Sequence, residues 1–282
     1  MNKWILGARV RTLPAAIAPV IVGTSLAEKI NFRNALLALI VSLSLQIAVN
    51  YANDFSDGVR GTDSNRIGPT RLVASNLASA SSVKNASIIS FLIAAIAGTV
   101  LALNTSAWLI AVGCISILAA WGYTGGKKPY GYLGFGELSV FIFFGVVATV
   151  GSYYVQVGQV TSDAILLSIP MGSLSCAILV INNLRDLNQD KLVSKRTLAV
   201  KLGDAKTRIF YLLLLVLAQV SAAAAASINK YALLTLLWLP LTYSAVKQVL
   251  RGASGKELIT ILGKTSKLQF LVALTLAISL SI

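Results

Sequence analysis

Long apolar runs separated by short polar segments extend along the chain from Leu13 to its C-terminus. A helix needs about 20 mostly apolar residues to cross a membrane, and we assign nine runs that approach or reach this length. The nine runs are Leu13–Ala27, Ala35–Asn53, Ala86–Leu103, Ala107–Tyr123, Gly134–Val155, Ile165–Asn183, Phe210–Ala226, Ala232–Val246 and Leu268–Ile282. The pattern predicts an all-α, polytopic membrane protein with nine transmembrane helices. We expect residues 1–282 to form a single domain.

The composition supports this fold class. Apolar residues make up 56% of the 282 positions and charged residues only 12%, whereas soluble domains average about 25% charged residues. Mean hydropathy is +0.77. These values exclude a soluble globule and a disordered chain. The sequence also has no alternating pattern of the kind that predicts an outer-membrane barrel.

The basic residues predict an orientation in the membrane. The formal net charge is +14, and all but three of the 24 Lys and Arg residues fall in alternate loops counted from the N-terminus. The exceptions are Lys29, Arg33 and Lys230. By the positive-inside rule, the N-terminus is predicted to be cytoplasmic and the C-terminus outside. Basic residues that cluster between apolar runs indicate either the orientation of the chain in the membrane or the binding of a polyanionic ligand. We predict no nucleic-acid partner, and we also predict no protein partner.

The acidic residues share the predicted side of the cations. Of the ten Asp and Glu residues, only Glu28 and Asp163 fall on the other side. Acidic residues contribute little to topology, so this bias indicates an active site at that face. The chain has no histidine, which excludes histidine metal sites, histidine bases and Ser-His-Asp triads.

Two polar clusters mark that face. The first cluster ends the second run and contains Asn50, Asn53, Asp54 and Asp57; the second ends the sixth run and contains Asn183, Asp186 and Asp190. Within each cluster the spacing places the side chains on one face of a helix with about 3.6 residues per turn. The two helices are four places apart in the series of spans, so they run parallel and both clusters reach the same membrane surface. Carboxylate and amide oxygens suit Mg²⁺, which usually binds one or two carboxylates together with phosphate oxygens.

Basic residues near the clusters are candidates to contact the outer phosphate oxygens. They are Arg60, Arg66, Arg71, Lys127, Lys128, Lys191, Lys195 and Arg196. The loop around Lys127 and Lys128 lacks the spacing of a P-loop, so ATP use is not supported.

The motifs Asn53-Asp54-x-x-Asp57 and Asp186-x-x-x-Asp190 resemble those of the UbiA superfamily of intramembrane aromatic prenyltransferases. Many members have a further acid at the position occupied here by Gly61, and the next acid in this chain is Asp63. This longer spacing resembles the branch that prenylates 1,4-dihydroxy-2-naphthoate. The segments Ala8-Arg9-Val-Arg11-Thr-Leu-Pro14 and Tyr123-Thr-Gly-Gly-Lys127-Lys128-Pro-Tyr130, the latter continuing to Glu137, resemble the same branch.

The resemblance implies a UbiA-like bundle and an activity. A polyprenyl group would pass from an allylic diphosphate to dihydroxynaphthoate, with loss of CO2 and diphosphate, to give the demethylated precursor of menaquinone in a bacterial inner membrane. It implies catalytic roles for Asp54, Asp57, Asp186 and Asp190, and Mg²⁺ binding by these four residues with Asn53 and Asn183. The aromatic substrate would contact Arg9, Arg11, Tyr123, Tyr130 and Glu137, with Glu137 as a candidate general base. The bundle would supply a dry site and a lateral slot for the polyprenyl tail.

Two alternatives stay open at this point. One is an enzyme of the same superfamily that uses 4-hydroxybenzoate or homogentisate as the acceptor. The other is a cation or solute transporter that uses intramembrane carboxylates. Transporter sites lie near the bilayer midplane, whereas the acids here lie at predicted helix ends, which disfavours transport.

Overall fold

A computed structural model describes residues 2–62, 68 and 70–282. Asp63 and Arg66 lie outside the described residues. Over the described parts the chain is helical and forms no strand. Its helices are α1 (Lys3–Ala8), α2 (Pro14–Ser25), α3 (Phe32–Arg60), α4 (Ala80–Asn104), α5 (Leu109–Thr124), α6 (Gly136–Val140), α7 (Ala148–Val157), α8 (Ser162–Leu192), α9 (Leu198–Leu202), α10 (Asp204–Ala224), α11 (Leu239–Leu250) and α12 (Gly255–Ser281). A π-helical segment, Phe141–Val147, joins α6 to α7, and 3-10 turns cover Val10–Thr12, Tyr130–Leu133, Ala225–Ser227 and Lys230–Trp238.

Seven helices within the described residues are long and apolar enough to cross a membrane. They are Phe32–Arg60, Ala80–Asn104, Gly136–Val157, Ser162–Leu192, Asp204–Ser227, Lys230–Leu250 and Gly255–Ser281. The predicted polytopic all-α fold is confirmed, but the count of nine is not. The first predicted span, Leu13–Ala27, corresponds to the helix Pro14–Ser25, which forms a pair with Lys3–Thr12 that is bent by 52°. The fourth predicted span corresponds to the shorter helix Leu109–Thr124.

The bend near the N-terminus has a local cause. Arg9 adopts a left-handed conformation with φ 53° and ends α1. Pro14 then starts α2, where its missing N–H and fixed φ are tolerated. The chain therefore turns where Arg9 and Thr12 lie.

Helices α3 and α8 continue beyond their apolar runs, to Arg60 and Leu192. Both polar clusters are therefore helical, as their spacing predicted. Gly61 ends α3 with φ 69°, a left-handed conformation in which glycine carries no steric penalty. The last helix begins at Gly255, well before the predicted Leu268, because Ser254 and Glu257 form a capping box.

Helix α8 lies at the centre of the bundle, packed against α10, α12 and the π-helical segment. Gly145 and Gly172 allow one of these contacts. A Cβ atom on Gly145 would lie 2.6 Å from the Gly172 Cα, so only small residues permit this crossing. The central position of α8 brings the second polar cluster into the interior of the bundle.

Candidate active site

A cavity of about 370 Å³ enters the bundle beside the C-terminal ends of α3 and α8. This volume is near the lower end of the usual range for ligand sites. One end of the cavity is polar and is lined by residues of both clusters and by Arg71 and Lys195. The other end is apolar and is lined by side chains of α3, α4, α5 and the π-helical segment. A ligand with a charged head and an apolar body matches this division.

The structure brings five of the six predicted metal ligands to the cavity. Asn53, Asp57, Asn183, Asp186 and Asp190 all line it. No group of three or more Asp, Glu or Cys side chains among the described residues is arranged as a ready metal site. The oxygen donors are therefore a mixture of carboxylates and amides from two helices.

Asp54, the sixth predicted ligand, has a different environment. It is 1% exposed and is not among the residues that line the cavity. One carboxylate oxygen accepts a hydrogen bond from the Leu72 backbone N–H at 2.8 Å, and the other accepts one from Val73 at 3.1 Å. The carboxylate thus contacts the segment that follows α3.

Three side chains surround the carboxylate of Asp57 in the cavity. Its Oδ1 accepts hydrogen bonds from the Lys195 ammonium at 3.0 Å and from the Tyr132 hydroxyl. Its Oδ2 lies 3.9 Å from Nη2 of Arg71. Lys195 lies in the loop after α8, so the pair connects the two clusters. Two protein cations therefore balance the charge of this carboxylate.

The pKa of Lys195 reflects this pairing. Burial by itself lowers the pKa of the ammonium, but the Asp57 carboxylate and then Tyr132 act in the opposite direction, and the net pKa is raised. Burial, followed by the Asp57 charge, raises the pKa of the Tyr132 hydroxyl. Lys195 is thus held as a cation and Tyr132 as a neutral hydrogen-bond donor.

Asp186 pairs with its sequence neighbour. Arg185 donates from Nε and Nη2 to the two carboxylate oxygens, both at 2.7 Å, and Nη2 also donates to Oδ1 of Asn182 at 2.7 Å. This two-point contact is the strong form of an arginine–carboxylate pair. The segment Asn182-Asn183-Leu-Arg185-Asp186 also resembles the naphthoate branch, but sequence reasoning gave Arg185 no role, although its position next to an acid of the second motif was a signal.

Glu137 contacts Asn183 of the second cluster without lining the cavity itself. It is buried and accepts a hydrogen bond at Oε1 from Nδ2 of Asn183, at 2.9 Å. Its Oε2 has no hydrogen-bond partner among the described residues. Asn183 lines the cavity and Glu137 does not. The carboxylate therefore fixes the amide group of Asn183, with the amide nitrogen facing Glu137.

Most of the predicted phosphate-contacting residues lie elsewhere. Arg71 and Lys195 line the cavity, whereas Arg60 binds the backbone carbonyls of Thr124 and Gly126. The remaining described candidates, Lys127, Lys128, Lys191 and Arg196, are exposed and do not line the cavity.

The candidates for the aromatic substrate divide in the same way. Arg9, Tyr123 and Tyr130 line the cavity, whereas Arg11 is exposed and does not. The two tyrosine rings form an edge-to-face pair with centroids 5.7 Å apart. Nη2 of Arg9 donates to the backbone carbonyl of Asn50 at 3.4 Å.

Sequence reasoning missed Thr12 and Gln46, which form a polar group with Asn50 beside Arg9. Nε2 of Gln46 donates to the Thr12 hydroxyl at 3.2 Å and to Oδ1 of Asn50 at 3.3 Å. Nδ2 of Asn50 donates to the same hydroxyl at 3.2 Å. All three residues line the cavity. A glutamine inside an apolar run was the available signal, because polar side chains at membrane depth are costly and often functional.

The apolar end of the cavity adjoins a second, smaller cavity of about 80 Å³ between α4 and α5. The two cavities share five lining residues: Val41, Leu45, Gly98, Leu109 and Gly113. A Cβ atom on Gly113 would meet nothing within 4 Å. The apolar space therefore continues toward the outer surface of the bundle.

Comparisons with known proteins agree with this geometry. The model of the UbiA prenyltransferase family matches residues 16–274. A Mycobacterium tuberculosis protein named 1,4-dihydroxy-2-naphthoate octaprenyltransferase is 49% identical over 98% of this chain and 95% of its own length. The Escherichia coli protein of the same name is 37% identical over 94% of this chain and 91% of its own length.

Solved structures share the fold. A UbiA homologue from Archaeoglobus fulgidus, bound to GPP and Mg²⁺, superposes with a TM-score of 0.68 at 12% identity, covering 98% of this chain and 99% of that one. The apo structure of a UbiA homologue from Aeropyrum pernix superposes with a TM-score of 0.72 at 12% identity, covering 95% of this chain and 96% of that one.

Proposed function

Because the chain belongs to the UbiA prenyltransferase family, we propose that it transfers a polyprenyl group from an allylic diphosphate to 1,4-dihydroxy-2-naphthoate. CO2 and diphosphate leave, and the product is demethylmenaquinol. Relatives named for the naphthoate reaction, 49% and 37% identical over nearly the whole chain, support this acceptor. The observation that carries the proposal is one cavity with acidic and basic groups at one end and apolar walls at the other.

The polar end suits the diphosphate of the donor. Asn53, Asp57, Asn183, Asp186 and Asp190 supply the hard oxygen ligands that Mg²⁺ prefers, from two helices that face one cavity. These residues would hold the divalent ion, which would neutralise charge on the departing diphosphate. Among the residues that the structure describes, too few carboxylates are grouped for an all-protein site, which matches a cation that also binds phosphate.

Arg71 and Lys195 are the cavity cations closest to Asp57. Breaking the allylic C–O bond leaves its electron pair on the diphosphate, so negative charge grows there as the bond breaks. Fixed cations stabilise that charge in a site with little water. We assign this role to Arg71 and Lys195; the exposed Lys127, Lys128, Lys191 and Arg196 are placed to contact phosphate only outside the cavity.

The acceptor site lies beside Arg9. The Arg9 guanidinium matches a carboxylate, and the neighbouring Thr12, Gln46 and Asn50 supply further polar groups. The faces and edges of Tyr123 and Tyr130 would pack against the naphthalene rings. This arrangement directs an electron-rich ring carbon toward the allylic cation. The new C–C bond forms with electrons from the ring, which recovers a pair when CO2 leaves.

The apolar end serves two purposes. Its aliphatic and aromatic walls keep water from the allylic cation, which water would otherwise quench. They also take the first part of the polyprenyl tail, and the adjoining space between α4 and α5 offers a route for the remainder. In the membrane we place the N-terminus and the polar end at the cytoplasmic side, following the loop charges, and we treat residues 1–282 as one catalytic domain.

Purified protein with Mg²⁺, mixed-length allylic diphosphates and three separate acceptors tests the proposal. Mass spectrometry should find a decarboxylated prenyl product with 1,4-dihydroxy-2-naphthoate and none with 4-hydroxybenzoate or homogentisate. Removing divalent ions with a chelator should abolish product formation, and added Mg²⁺ should restore it. Prenylation of a benzoate but not of the naphthoate would overturn the acceptor assignment, and full turnover in chelator would overturn the metal assignment.

A further inference from the structure

Asp54 lies in the first acidic motif, but it does not line the cavity that its neighbours Asn53 and Asp57 line. Both of its oxygens are used. Each accepts one backbone N–H, from Leu72 at 2.8 Å and from Val73 at 3.1 Å. Hydrogen bonds from N–H groups to a buried carboxylate are among the stronger ones in proteins.

The segment that Asp54 binds, residues 71–73, lies across the end of α3, and we call it the strap. Leu72 is fully buried in a socket beside Gly7 and Tyr51, where a Cβ atom on Gly7 would lie 2.7 Å from the leucine Cδ1. Val73 rests on Gly58, where a Cβ atom would lie 2.5 Å from the valine Cβ. Two side-chain sockets and one carboxylate therefore define where the strap lies.

The strap places Arg71 in the cavity. Arg71 is buried, lines the polar end, and holds Nη2 3.9 Å from Oδ2 of Asp57. Leu72, whose backbone N–H donates to Asp54, directly follows Arg71 in the sequence. A shift of the strap therefore moves the Arg71 guanidinium relative to Asp57.

We propose that Asp54 is a positioning residue that holds the strap so that Arg71 meets the diphosphate of the donor, and that it is not a ligand of the divalent cation. The inference rests on the proposed function for the identity of the donor. Asp54 is buried and does not line the cavity, so its carboxylate would have to turn to bind a cation there. That turn would break the hydrogen bonds to Leu72 and Val73 and leave two buried N–H groups without acceptors, which folded proteins rarely tolerate.

The test compares D54N with D57N, using direct binding of geranyl diphosphate and Mg²⁺ titrations of the initial rate. D54N should weaken geranyl diphosphate binding and raise the donor KM by roughly tenfold, the scale of a damaged buried hydrogen-bond pair. Its half-saturating Mg²⁺ concentration should stay within about twofold of the wild type. D57N should raise the Mg²⁺ requirement. An equal rise in the Mg²⁺ requirement for D54N would overturn the proposal.

Arg71 supplies a second test through a double-mutant cycle. If Asp54 acts through Arg71, then D54N combined with R71A should bind donor about as weakly as R71A alone. Fully additive losses would overturn the proposal. D204N is the matched control, because Asp204 also pairs with an arginine, Arg208, at a site away from the cavity; it should leave donor affinity unchanged.

G58A keeps the Asp54 carboxylate and disturbs the strap from the other side, since its methyl group would meet Val73. It should copy D54N, with weaker donor binding and an unchanged Mg²⁺ requirement, and this variant serves if D54N does not fold. Normal donor affinity in a folded G58A protein would contradict the proposal. Because geranyl diphosphate binding is measured without an acceptor, failure to prenylate the naphthoate would refute the proposed function and leave the donor-binding comparisons of D54N, R71A and G58A intact.

Discussion

The hydrogen bond between Glu137 and Asn183 predicts how two substitutions at Glu137 should differ. Nδ2 of Asn183 donates to the buried Glu137 carboxylate at 2.9 Å. Asn183 itself lines the cavity. E137L removes the acceptor and leaves a buried N–H donor unpaired, which costs about 1–3 kcal/mol. At about 1.4 kcal/mol per factor of ten, this corresponds to roughly 5- to 150-fold. E137Q keeps an acceptor oxygen in nearly the same place, so its effect should be under about threefold.

The loss should be seen in metal affinity, because Glu137 fixes the orientation of the Asn183 amide and does not itself line the cavity. The assay is the initial rate of naphthoate prenylation by detergent-purified enzyme over a range of Mg²⁺ concentrations. E137L should raise the half-saturating concentration and recover most of its kcat at high Mg²⁺, whereas E137Q should follow the wild type. The sequence suggested instead that Glu137 is a general base. If E137Q is nearly inactive at every Mg²⁺ concentration, that role is correct and the positioning argument is wrong.

Three further substitutions test other parts of the cavity. K195M removes the ammonium 3.0 Å from Asp57 and should raise the donor KM about tenfold, while K195R retains most affinity, as measured by initial rates against donor concentration. G113F fills the passage between α4 and α5, so the prenyl products identified by mass spectrometry should shift toward shorter tails. The control is G263F, at an exposed position of α12 with open space around it. It should leave the distribution of tail lengths unchanged. R9Q should raise the naphthoate KM and leave geranyl diphosphate binding intact; equal losses for both substrates would contradict the separate acceptor site.

The two polar clusters could be predicted because their arrangement follows from residue spacing along the sequence. Helical periodicity decides which side chains share a face, and the number of intervening spans decides which helix ends meet. Both rules depend only on sequence, and the structure places residues of the two clusters around one cavity. The helices continue through the clusters to Arg60 and Leu192, so the geometry assumed for the faces holds.

The different environments of Asp54 and Asp57 could not be predicted in that way. The two residues lie close together on α3, but a backbone segment covers one carboxylate and the cavity exposes the other. The segment reaches Asp54 because Gly7 and Gly58 leave room for Leu72 and Val73. Such sockets form between parts of the chain that are distant in sequence, and helical periodicity carries no information about them.

The sequence also could not predict which basic residues enter the cavity. A lysine near a membrane surface satisfies the positive-inside rule wherever its side chain points, so its residue type does not reveal whether it enters a cavity. Lys191 and Lys195 illustrate this, because they are four residues apart and only Lys195 is buried against Asp57. Lys195 follows the end of α8, where its backbone N–H bonds to the carbonyl of Asp190 and turns the chain inward.

The unusual distribution of acids in the sequence can now be explained by charge balance. A carboxylate near the apolar part of a membrane is costly unless a cation neutralises it. Lys195 and Arg71 contact Asp57, and Arg185 contacts Asp186. For Asp57 and Asp186 this charge pairing gives a reason, unrelated to topology, for acids to lie among cations. The same pairs leave basic groups beside the proposed diphosphate site, so one arrangement of charges serves both the stability of the free protein and the binding of an anionic donor.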